Sequence, residues 1–164
     1  MVQAASTVPD HGELKPYRFV IVDTKEGQTR FGDALAAAGA EAKPDLSPGL
    51  LEKLRHKAFA APALVIVIAA PLPGHKIPVW EQIVTASCTG YALVLAAHAL
   101  GLGAIWKSAP MLTGRALTET LAMQPDEQIL GWINVGQAER PGATRPADTA
   151  KAHILEGAGL APLR

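Results

Sequence analysis

The chain has 164 residues, 49% of them apolar, with 15 basic and 15 acidic side chains and one cysteine. That length suits one domain with a core of ordinary size, and the apolar content excludes a disordered chain. Balanced charge argues against a nucleic-acid-binding surface, and a single cysteine, Cys88, excludes an internal disulfide or a multi-cysteine metal site.

Residues 1–16 read as a loop punctuated by Pro9, Gly12 and Pro16, with neither a basic nor a long apolar leader. Tyr17–Asp23 is β-branched and aromatic and predicts a strand, closed by a turn at Lys25–Gly27. Thr29–Glu41 reads as a helix with Phe31, Leu35 and Ala38 on one face. Ser47 and Pro48 open a second helix, striped by Leu50, Leu51 and Leu54 and stopped before Pro62. Ala63–Ala70 is a continuous apolar run between prolines, the pattern of a central strand covered on both faces. After a loop carrying His75 and Lys76, a long helix is expected over Val79–Leu100, broken at Gly101 and Gly103. A short strand over Ala104–Ala109, a helix over Thr113–Met123 and a final strand over Glu127–Gln137 follow. Residues 139–164 read as an extended C-terminal tail with at most one short helix. The order predicts an α/β or α+β sandwich of helices on a sheet.

Residues 83–106 contain no Lys, Arg, Asp or Glu, a run long enough to cross a bilayer. Thr85, Ser87, Thr89, Gly90 and His98 dilute it, so a soluble helix wrapped by the rest of the chain, or by a second subunit, explains it better. Cys88 sits in that run without a basic neighbour and reads as a small buried hydrophobe. The five histidines show no metal-ligand spacing, so no metal is expected. No Gly-x-Ser-x-Gly elbow or Ser-x-x-Lys is present, and Gly101-Leu-Gly103 follows a helix instead of opening one, unlike a nucleotide fingerprint.

Two segments carry more chemistry. Pro9-Asp10-His11 begins a polar, proline-bounded loop that runs into a core strand. Trp106-Lys107-Ser108 sets a cation and a hydroxyl beside a large aromatic, a combination suited to an anion or a flat ring. Taken alone, each segment is weak, and a solvated lysine and a core tryptophan are the default explanation of the second.

Together these segments resemble the FMN-dependent nitroreductase family, in its branch of small single-domain NAD(P)H nitroreductases. Four motifs occur in the family's order: Val8-Pro9-Asp10-His11 leading to Lys15-Pro16-Tyr17-Arg18-Phe19; Lys76-Ile77-Pro78-Val79-Trp80-Glu81-Gln82; Gly103-Ala104-Ile105-Trp106-Lys107-Ser108; and Ile129 to Gly136. The resemblance implies a single α+β domain with a mixed sheet, flanked by helices around a long central helix. It also implies an intertwined homodimer, FMN at the interface and a cytoplasmic setting. By the same resemblance, Thr7, Pro9, Asp10, His11, Trp106, Lys107 and Ser108 are candidate FMN-binding residues. Ala96, Ala97, His98, Ala99, Leu100 and Gly101 are candidate NAD(P)H contacts. The implied reaction carries electrons from NAD(P)H through FMN to a nitroaromatic or quinone-like acceptor, with no catalytic residue supplied by the protein.

The family's first helix carries Arg-Arg-Ser, which holds the FMN phosphate, and a second helix leads to the Pro-Asp-His loop. Here only residues 1–8 precede that loop, so the domain is expected to be truncated at its N-terminus, and Thr7 stands where the family often has arginine. The alternative expectation is therefore a catalytically weak or inactive flavin-binding scaffold that has lost its phosphate site. A misassigned start is another explanation of the same shortfall, and a membrane-anchored protein remains a third functional class.

Overall fold

The structure is a computed structural model that describes residues 1–138, 153–156 and 159–162. A short helix, α1 (Val2–Ala5), stands within the segment expected to be loop, and Ala5 is fully buried. Strand β1 (Tyr17–Val22) leads into helix α2 (Lys25–Ala42). That helix begins earlier than expected, because Thr24 caps it: its Oγ1 accepts the Gly27 N–H at 3.1 Å, turning the predicted turn into a helical start. Helix α3 (Pro48–His56) opens at Pro48 as expected. Leu51 and Leu54 close on Gly39 of α2, whereas Leu50 faces solvent.

Strand β2 (Ala63–Ala69), helix α4 (Val79–Ala99) and strand β3 (Gly103–Lys107) lie close to their predicted bounds. Leu102 N–H reaches Ala97 O at 2.9 Å and Gly101 N–H reaches His98 O at 2.9 Å, with Gly101 at φ +73°. This is the left-handed helix stop read from the sequence. Helix α5 (Arg115–Thr120) is shorter than its prediction, starting after Gly114 at φ +120° and closing before Ala122 at φ +49°. Strand β4 (Gln128–Gly136) completes the main sheet, and β5 (His153–Glu156) pairs with β6 (Gly159–Pro162) as an antiparallel ribbon. The rest of the expected tail lies outside the described residues.

The main sheet has the order β1-β2-β4-β3, and every neighbouring pair is antiparallel. The expected mixed sheet is thus not what the four strands form. β2 and β3 run in the same direction across α4, but β4 inserts between them, so no two parallel strands are neighbours. A register shift at Val67/Ile68 sits opposite Gly131, whose φ of +138° accommodates it, and lets Ile129 and Trp132 share a face.

Each face of the sheet has its own core. On one side Leu64, Ile66, Ile68 and Trp132 pack with Phe31 and Leu35 of α2 and Leu117 of α5, Phe31 meeting Trp132 edge to face at 5.6 Å. On the other, Val65, Val67, Ile133 and Val135 pack with Leu93 of α4 and with Ala5. α4 comes close because Ala86, Thr89, Gly90 and Ala97 face inward. Its opposite face is uncovered: Trp80 is 66% exposed, Val84 51%, Tyr91 61% and Leu95 52%. Cys88 lies on that face and is exposed, which corrects its reading as a buried residue. Among the described residues no helix is long and apolar enough to cross a membrane.

Arg18 of β1 ties this scaffold to the turn before β4. Its Nε meets Glu127 Oε1 at 2.7 Å, and the same guanidinium meets Oε2 at 2.6 Å and Leu121 O at 3.0 Å. Glu127 is only 7% exposed, and hydrogen bonding from Arg18 holds its carboxyl below the usual range against the opposing effect of burial. Glu127→Gln is expected to cost about 2 kcal/mol at neutral pH, read by urea unfolding. A depressed folded pKa adds stability above the ordinary glutamate value and loses it as pH falls through the folded value. The gap between wild type and variant is therefore expected to narrow on acidification.

Candidate functional site

The loop between α1 and β1 is a strained turn. Gly12, Glu13 and Lys15 all have positive φ, at 77°, 53° and 49°. For the two non-glycine residues this conformation is uncommon and survives only where surrounding contacts enforce it. Asp10 provides one such contact, its Oδ2 accepting the Lys15 N–H at 2.5 Å while its carbonyl accepts Glu13 N–H at 3.1 Å. Ile77, buried in the loop before α4, provides another: a Cβ on Gly12 would lie 2.7 Å from its Cδ1. Ser6, Val8, Asp10, Glu13, Lys15 and Tyr17 line a cleft of about 370 Å3 beside this turn. Burial, and then the charge of Asp10, hold the Tyr17 phenol above its usual range.

Among the sequence candidates in this loop, His11 is exposed, and its Nδ1 meets Glu81 Oε1 of α4 at 2.8 Å. Asp10 turns to the backbone of Lys15, so the adjacent pair diverges. Pro9 is exposed. Thr7 is exposed as well, but its hydroxyl donates to Ala4 O at 2.8 Å and so completes the end of α1.

At the far edge of the sheet, Trp106 is half-buried in the core cluster on the α4 side. Its ring lies over Gly90, where any Cβ would overlap it, and its Nε1–H reaches Leu130 O at 3.4 Å. The indole therefore packs between strand and helix. Lys107 and Ser108 are left as the exposed cation and hydroxyl at the end of β3.

The antiparallel register puts the start of β1, the start of α4 and the end of β3 at the same end of the sheet. β1 and β3 are nonetheless the two edge strands, about 14 Å apart across three strand spacings. The chain thus brings His11 to Glu81 but leaves Lys107 and Ser108 on a separate edge. Ala96, Ala97, His98, Ala99, Leu100 and Gly101 form the last turn of α4 and its stop, about 25 Å along the helix from Glu81. Ala97 is buried there, and the other five are wholly or partly exposed. Among the described residues, no three His, Cys, Asp or Glu side chains gather as a metal site.

Sequence reasoning left Glu81, Glu13 and Lys15 without roles. Glu81 lies inside the Lys76–Gln82 motif, which was its available signal; nothing local marks Glu13 or Lys15 for a left-handed backbone.

Gly90→Ala is expected to displace the Trp106 ring and cost about 2 kcal/mol in thermal or urea unfolding. An unchanged transition would show that helix and strand have room to part.

The model of the family described as "Nitroreductase family" matches residues 1–137. A protein named "Putative NAD(P)H nitroreductase" from Haemophilus influenzae is 34% identical over 135 residues, covering 82% of this chain and 72% of that protein. "Putative NAD(P)H nitroreductase YdjA" of Escherichia coli is 30% identical over 148 residues, covering 88% and 77%. Among solved structures, a nitroreductase-like family protein from Bacillus cereus superposes with a TM-score of 0.76 at 22% identity, covering 95% of this chain and 82% of that one. A nitroreductase with bound FMN from Desulfitobacterium hafniense superposes with a TM-score of 0.65 at 17% identity, covering 94% and 84%.

Proposed function

The chain belongs to the nitroreductase family, and from that premise we propose that it is an FMN-dependent oxidoreductase passing electrons from NAD(P)H to a nitroaromatic or quinone-like acceptor. The observation that carries this reading is the family match itself, which runs through both candidate segments. The names of the relatives support the electron donor, and the FMN-bound structural neighbour supports the cofactor.

The residues present fit a flavin by their chemistry. Lys107 and Ser108 are exposed and make no side-chain hydrogen bond among the described residues, leaving a cation and a hydroxyl for an anionic or polar edge. His11 is exposed and held from one side only. On this reading His11, Asp10 and Pro9 shape one wall, Trp106 anchors β3 against α4, and Lys107 and Ser108 hold the opposite wall. FMN, when bound, supplies the redox chemistry; the chain contributes binding, orientation and exclusion of water.

These walls leave opposite edges of one sheet, an arrangement suited to a site shared by two chains. We place the second copy on the uncovered face of α4, where Trp80, Val84, Tyr91 and Leu95 are exposed along a run without charge from Ile83 onward. An isologous interface needs one self-complementary patch, and an uncharged helix face meets its own copy without repulsion. Light scattering is expected to report a dimer whose Cys88 reacts slowly with a thiol reagent. Leu95→Glu is expected to weaken association by about 100-fold and to expose that thiol. A wild-type monomer with a reactive Cys88 would defeat the shared-site reading.

One observation favours the scaffold alternative. Arg18, the arginine nearest the Pro-Asp-His loop in sequence, is committed to Glu127, so it is not free to hold a phosphate. FMN titration with NADH- and NADPH-dependent reduction of a nitroaromatic and a quinone separates the readings. Turnover by FMN-loaded protein is expected; weak FMN binding without turnover would establish the scaffold, and no binding would refute both.

A further inference from the structure

Apart from Trp80, the Lys76–Gln82 motif has no role in the function proposed so far, and its contacts assign one. Gln82 is 2% exposed, and its side chain knits the preceding loop to the helix. Its Oε1 accepts Leu72 N–H at 2.8 Å, while its Nε2 donates to Ile77 O at 2.9 Å and Leu72 O at 3.3 Å. These bonds fix the first turn of α4, from which Glu81 projects. Ile77 meanwhile presses on Gly12 and fixes the backbone beside His11. The Glu81–His11 contact at 2.8 Å therefore joins two elements already held against each other through Ile77 and Gln82.

A carboxylate only accepts, so in the neutral ring the proton must sit on Nδ1 and the lone pair on Nε2. Glu81 is 32% exposed and His11 65%, which leaves the Nε2 edge of the ring open. We propose that Glu81 is a positioning residue: it fixes the tautomer of His11 so that Nε2 is presented as a hydrogen-bond acceptor to an N–H or O–H group of the ligand. The ligand part of this inference rests on the flavin reading above; the tautomer part does not. A bland surface pair would add little stability and would have no preferred effect on a ligand.

Long-range proton–nitrogen spectra of 15N-labelled apoprotein, recorded where histidine is neutral, read the tautomer directly, with His11→Ala assigning the signal. Wild-type His11 is expected in the Nδ1–H form. Glu81→Ala is expected to release it to the Nε2–H form or a mixture, and Glu81→Gln, which keeps an acceptor oxygen, to restore Nδ1–H. In parallel FMN titrations, Glu81→Ala is expected to weaken binding about tenfold and Glu81→Gln much less. Glu26→Ala, which also removes a first-turn acid but from α2, is expected to change nothing. In a His11→Ala background, Glu81→Ala is expected to have no further effect. An Nε2–H wild-type ring, a tautomer indifferent to Glu81, or a Glu81→Ala effect that survives without His11 would each overturn the proposal. Wild-type protein that binds no FMN would overturn the flavin reading, and the apoprotein spectra would still decide the role of Glu81.

Discussion

Burial of β2 on both faces is the constraint on which the molecule depends. Leu64, Ile66 and Ile68 point into the core under α2, and Val65 and Val67 into the core under α4, all nearly or wholly shielded from water. Each such side chain contributes about 1.5–3 kcal/mol of transfer free energy, so neither face can be left open. The chain must then place a helix layer on each side and a strand at each edge of β2. Meeting that demand with α4 as the crossover, and β4 inserted between β2 and β3, sends the start of β1, the start of α4 and the end of β3 to one end of the sheet. The location of the candidate site follows from how the central strand is covered.

α4 shows how far sequence periodicity reaches. Its bounds were legible, because Pro78 and Gly101 punctuate it and the uncharged run between them has helical length. Its orientation was not. A helix apolar on every side has no stripe to mark the inward face, so Cys88 and Ala86 were equally plausible core residues. Packing decided by size: Ala86, Gly90 and Ala97 face the sheet, where only small residues let the helix approach and Trp106 lie beneath it. The bulky Trp80, Val84, Tyr91 and Leu95 were thereby turned outward. Leu93 apart, the inward face is built of small or polar residues, and the large apolar ones form an exposed patch of the kind that marks an interaction surface.

The site was legible as segments and illegible as a constellation. Motif resemblance singled out the loop at His11 and the end of β3, and the fold places them at one end of the sheet. The contact that gives His11 an orientation spans 70 positions, and the Arg18–Glu127 pair spans 109. No local pattern encodes pairings of that range; they follow from which strand neighbours which. Thr7 is engaged locally, its hydroxyl donating to Ala4 O at the end of α1.

The two walls of the candidate site also differ in mechanical character. Left-handed backbone at Glu13 and Lys15 costs of the order of 1–2 kcal/mol per residue, and the fold offsets it locally. Asp10 binds the Lys15 amide, Ile77 packs on Gly12, and buried Pro16 anchors the exit into β1. A turn enforced from several directions has few conformations left to lose, so a ligand meeting it pays little ordering entropy. Lys107 and Ser108 are the reverse case, a long cationic side chain and a hydroxyl exposed at a strand end. Docking there costs rotamer freedom but tolerates variation in what is bound. In the function proposed above, the rigid wall sets orientation and the adaptable wall supplies charge, a division suited to holding one ring in register while admitting acceptors of differing shape.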